Sequence, residues 1–124
     1  MKYQNKTANI FFKFSAILFL AAAGYHFTGI FYKVNDAPVW RHILFTVINL
    51  FCIYGVLKRP KYFVYFIIAL LVQQYYSHGT YMISLWNDKK QIHWISFFDL
   101  IFLPVLLFFI IKEHKNRKSI TAEG

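Results

Sequence analysis

The sequence predicts an all-α integral membrane protein, a compact up-down bundle of four transmembrane helices. Of its 124 residues, 58% are hydrophobic, 22% aromatic and only 15% charged, a balance that a soluble domain of this length would not carry. The apolar residues gather into four blocks, each near the ~20 residues that a helix needs to cross ~30 Å of hydrocarbon. The connections between blocks are short, which makes successive helices antiparallel neighbours. Residues 1–124 therefore read as one domain, with no linker and no internal repeat visible.

The first block runs Phe14–Tyr32. Lys2, Lys6, the run AILFLAAAG and the small residues Ala21 and Ala23 resemble a secretory signal with an A-x-A cleavage site. Lys13 interrupts that pattern, and apolar sequence continues through Ile30, Phe31 and Tyr32, so a retained span is favoured. The second block, Val39–Leu57, follows the turn VNDAP, where Asn35 or Asp36 suits a turn before Pro38. The third, Tyr62–Leu85, follows KRPK, in which Pro60 suits a helix start. The fourth, Trp94–Ile111, follows NDKKQ and contains Pro104, which deprives the Leu100 carbonyl of its helical donor and predicts a kink below Asp99. A basic tail occupies residues 112–124.

Basic residues set the expected orientation. Lys2, Lys6, Lys13, Lys58, Arg59, Lys61, Lys112, Lys115, Arg117 and Lys118 fall on one side; Lys33, Arg41, Lys89 and Lys90 fall on the other, diluted by Asp36 and Asp88. Ten against four places both termini in the cytoplasm of a plasma-membrane protein. Trp40, Trp86 and Trp94 then line the outer interface. The net charge of +9 is explained by this clustering at block ends, not by a nucleic-acid groove. A single cysteine, Cys52, excludes an intrachain disulfide and CxxC redox chemistry.

Each block carries one polar stripe at helical spacing. Ser15, Ala22, His26 and Gly29 share a face of the first, and His42, Thr46 and Asn49 a face of the second. Gln74, Ser77, His78 and Tyr81 share a face of the third, and His93, Ser96 and Asp99 a face of the fourth. At 1.5 Å per residue, His26, His78 and Asp99 lie roughly 10 Å below the outer surface. Gln74 and Asn49 sit about a turn deeper, and the cytoplasmic half carries nothing titratable except Cys52 and tyrosines. The expectation is an outward-facing pocket with His26, His78 and Asp99 at its centre, His42 and His93 nearer its mouth, and Gln74, Asn49 and Tyr81 as ligand-binding neighbours.

Plainer roles compete with that reading. Polar residues in spans often serve as interhelical glue worth about 1 kcal/mol or less. His42 and His93, beside Trp40 and Trp94, suit the interface, and Gly24 and Gly79 suit close packing or bending. Intramembrane ionisable groups such as His26, His78 and Asp99 are functional candidates by default.

Three functions are open to such a pocket. It can hold a transition metal or haem, with His26, His78, Asp99, His42 and His93 as the ligand pool. It can bind or translocate a small polar molecule with proton exchange, alone or as a homo-oligomer. Otherwise the polar stripes dock a membrane-protein partner, and the chain is a non-catalytic accessory subunit in the lipid bilayer. Nucleophilic hydrolysis by Ser77 and His78 is disfavoured, because adjacent helical residues point in different directions.

Overall fold

The computed structural model describes residues 6–123, with side chains through Arg117. Lys2 and the Lys118 side chain, used in the charge argument, lie outside the described residues. The described chain is all-helical: α1 Lys6–Phe31, α2 Val39–Lys58, α3 Phe63–Lys89 and α4 Trp94–Glu123. Three of these, α1, α2 and the Trp94–Arg117 part of α4, are long and apolar enough to cross a membrane. The run QQYYSHGT lowers the mean hydropathy of α3.

All four helices are longer than their apolar blocks, α1 and α4 by the most. α1 begins at Lys6 and α4 continues to Glu123, because KTANIFFK and KEHKNRKS hold no glycine or proline to stop a helix. α3 starts at Phe63, after Pro60, with Tyr62 as its N-cap.

The chain divides into two compact units, residues up to Pro60 and from Lys61 onward. The first is the α1–α2 hairpin. His26 meets His42 near the turn, and Asn9 meets Arg59 at the far end, so the two helices run antiparallel. Buried positions in α2 include His42, Phe45, Asn49, Cys52 and Val56, and the spacing continues to the buried Arg59 at its C-cap. In α1 they include Ala8, Phe12, Ser15, Phe19 and Ala23. This alternation of three and four residues is the spacing of a seam between two packed helices. At Gly29 the helices approach closely: a Cβ there would lie 2.6 Å from the His42 ring.

The second unit is the α3–α4 hairpin. The seam of α4 runs Ser96, Leu103, Leu106, Ile110 and Glu113, all buried, with half-buried Asp99 between the first two. α3 buries Phe63, Ile67 and Gln74. The Leu100 carbonyl that Pro104 deprives of a donor accepts a hydrogen bond from the Tyr75 hydroxyl at 2.6 Å. A tyrosine from the neighbouring helix thus fills the vacancy that proline creates, and it fixes the α3–α4 register one residue from Asp99.

Polar side chains such as Ser15, His42, Asn49 and Ser96 lie in these seams among buried apolar ones, whereas many large apolar residues such as Phe31, Val47, Val72, Ile95 and Phe108 are exposed. That inversion suits a lipid surround, where helix contacts depend on close packing and polar glue. Gly24 and Gly79 depart from the expectation of close packing: an added Cβ would meet nothing within 4 Å at either.

Candidate functional site

Each hairpin gathers its own histidine cluster where its helices turn. In the first unit, Asn35 organises the connection. Its Oδ1 accepts the Ala37 N–H at 2.9 Å, an Asx turn that sets up Pro38 as the N-cap of α2. A backbone N–H can only donate, so this bond fixes the orientation of the Asn35 amide. The amide nitrogen then donates to the Tyr25 hydroxyl at 3.0 Å. The same Oδ1 lies 3.1 Å from His42 Nε2, which must therefore be the donor.

The consequence passes to the next ring. With its proton on Nε2, neutral His42 presents a bare Nδ1, which faces His26 Nδ1 at 3.1 Å. His26 must then carry its proton on Nδ1 and donate it. Phe45 stacks on the His26 ring at 5.4 Å, and the Arg41 guanidinium lies 5.7 Å from the Phe45 ring centre. His42 is 2% exposed, so its ring is held by Gly29, His26 and Asn35.

In the second unit, Ser96 is the hub. His93 immediately precedes α4, and its Nδ1 accepts the Ser96 N–H at 3.3 Å, acting as an N-cap. The same Nδ1 lies 2.7 Å from Ser96 Oγ, so the hydroxyl donates to it. With its one proton committed, Ser96 Oγ accepts from His78 Nδ1 at 2.6 Å. Neutral His78 therefore has a bare Nε2, which sits 3.6 Å from Asp99 Oδ2. One proton suits that pair in two ways: on the carboxyl with a neutral ring, or on the ring as an ion pair. The two side chains are 27% and 38% exposed, which leaves them reachable.

The structure thus brings His26 to His42, and His78 to Ser96, His93 and Asp99. Tyr81 packs edge-on against His93 at 5.2 Å. Gln74 is buried one turn from His78. Asn49 donates to the Phe45 carbonyl of its own helix at 2.7 Å, and Thr46 does the same to His42 at 2.7 Å. Those two bonds are local to α2, as plain structural roles require.

Among the described residues, no group of three or more His, Cys, Asp or Glu is arranged to hold a metal ion. The facing nitrogens of His26 and His42 are engaged with each other at 3.1 Å. Ser96, His78 and Asp99 have the chemical order of a nucleophilic triad. Ser96 is wholly buried and its proton is given to His93, so its oxygen has no path to a substrate.

Sequence reasoning overlooked several participants. Asn35 and Tyr25 come together only when the connection folds, and Tyr75 is placed by the demand that Pro104 creates. At the opposite ends of the hairpins, Arg59 and Glu113 are buried, although that half reads as apolar in sequence. Arg59 adopts a left-handed backbone after α2 (φ 51°) and sets its guanidinium 4.7 Å from the Phe12 ring centre. Glu113 lies 3.4 Å from Arg117 on α4. The three-four alternation, continued from Val56 to Arg59 and from Ile110 to Glu113, was the available signal.

No protein-family model, curated protein or solved structure matches this chain, so the functional reading rests on this geometry.

Proposed function

We propose that the chain is a plasma-membrane protein that crosses the bilayer four times as an up-down helix bundle, with both termini cytoplasmic. Its role in this reading is to take up and release a proton at His78 and Asp99, as a component of proton-coupled movement of a small polar solute. The ten-to-four bias of basic residues supports the orientation. The crossing by α3 is supported by the use its polar residues find: Tyr75 and His78 bond to α4. Those groups are then not offered to lipid.

The observation that carries the proton reading is the tautomer of His78. Its Nδ1–H is held by Ser96, which leaves Nε2 alone to exchange a proton, and that atom faces a half-exposed carboxylate. A ring so locked presents one basic site in one direction, which is what directional proton transfer requires. The purified protein in vesicles loaded with a pH-sensitive dye tests it. An imposed potential should drive acidification that His78→Asn and Asp99→Asn both reduce at least tenfold, with Thr46→Val unaffected. Equal rates in all four proteins, or rates no faster than in empty vesicles, would remove the reading.

A further inference from the structure

The first hairpin holds a second proton site, independent of His78. We infer that His26 and His42 form a shared-proton pair that accepts one additional proton with its contacts intact and is driven apart by the next, making the α1–α2 turn acid-sensitive. The argument is a count of protons against nitrogens. In the neutral pair, His42 Nε2–H is given to Asn35 and His26 Nδ1–H to His42 Nδ1. The first added proton goes to His26 Nε2, the nitrogen that takes no part in the contact with His42. His26 is then an imidazolium that still donates through Nδ1, and the N–H···N bond becomes charge-assisted and stronger. A further proton has only His42 Nδ1 to occupy. Two N–H groups would then point at each other across 3.1 Å, and the contact must break.

His42 has no room to yield. Gly29 closes one side of its ring, so that even a methyl group would collide with it, and Asn35 holds its other nitrogen. Repulsion is therefore relieved by separating α1 from α2 beside the turn. The neighbours on each element do not undo this. α1 presents His26 and Tyr25, whose ring is 6.4 Å from His42. The connection presents the Asn35 amide, and its Lys33–Asp36 ion pair is spent in solvent at 3.7 Å. α2 presents Arg41, whose charge lies over Phe45, the ring stacked on His26, and opposes a second positive charge there.

Nuclear magnetic resonance of isotope-labelled imidazole nitrogens in the full chain, held in lipid nanodiscs, tests the inference without any transport assay. Neutral His42 should be the Nε2–H tautomer and neutral His26 the Nδ1–H tautomer, with a scalar coupling between their Nδ1 nuclei. The pair should titrate in two macroscopic steps more than about tenfold apart in proton affinity, and the coupling should vanish only in the second. Gly29→Ala displaces the His42 ring while keeping both histidines in the chain, so it should abolish the coupling and merge the two steps. Asn35→Ala should release the His42 tautomer into a mixture. Independent titration of the two rings in the unaltered protein, or an Nδ1–H tautomer at neutral His42, would overturn the inference, as would a coupling that survives Gly29→Ala. Failure of the His78 vesicle experiment would leave each of these results unchanged.

Discussion

The two hairpins place two imidazoles each beside their turns, yet join them differently. In α1–α2 the rings meet nitrogen to nitrogen, and an asparagine in the connection fixes which nitrogen donates. In α3–α4 a serine hydroxyl stands between the rings, and a carboxylate lies beyond. A direct pair limits how many protons the site accepts, because the facing nitrogens can share only one. A bridged pair next to a carboxylate has two states of equal total protonation, and movement between them needs no broken hydrogen bond. On the proposed readings, the same residue type is a counting device in one hairpin and an exchange site in the other. What decides is the group at the far nitrogen.

Serine gives the strongest way to break this comparison, since each hairpin buries one completely. Ser15 donates to the Phe11 carbonyl of its own helix, whereas Ser96 joins two histidines from two directions. Ser96→Ala leaves both rings without their shared partner and should cost about 1–3 kcal/mol. Ser15→Ala removes a hydroxyl whose acceptor already has its helical donor, and should cost at most about 0.5 kcal/mol. Unfolding by detergent titration measures both, and equal losses would mean that Ser96 is ordinary packing.

Glycine gives the next test. Gly29→Ala presses a methyl group against the His42 ring and should destabilise by about 1–2 kcal/mol. Gly79→Ala, where the added carbon meets open space, should be neutral or stabilise by up to about 1 kcal/mol through helix propensity. The same titration would show the opposite signs, and a shared sign would sink the assignment of Gly29 as a tight point.

The smallest effect sharpens the second hairpin alone. Tyr75→Phe should cost about 0.5–1.5 kcal/mol, because the Leu100 carbonyl loses its substitute donor. In a Pro104→Ala background that carbonyl regains a helical N–H, so Tyr75→Phe should cost nearly nothing. A double-mutant cycle reads the difference directly. Additive losses would show that the tyrosine hydroxyl and the proline act separately.

The residues on the seams were legible before the fold was known, because spacing of three and four fixes a helical face whatever that face meets. His42, Asn49, Ser96 and Asp99 were placed that way, and the helical character of every block followed from length and apolarity. Lys6 through Lys13 and Lys112 onward were harder, since charged and polar residues there break up the apolar run and obscure the helical stripe. The vacancy at Leu100 was also written in the sequence, as a consequence of Pro104, but its occupant was not. Which side chain fills an orphan acceptor depends on the azimuth and register of the neighbouring helix, and only the folded hairpin set Tyr75 there. The tautomers were likewise undetermined. A ring nitrogen becomes donor or acceptor through its partner; Asn35, oriented by the Ala37 amide, reaches His42 and Ser96 reaches His78 only once the turns are built. The sequence by itself determined helical, membrane-suited hairpins with polar seams, because periodicity and hydropathy are local properties. Tertiary structure decided which atom His26, His42 and His78 each face, because a hydrogen bond is directional and their partners lie 7 to 18 residues away.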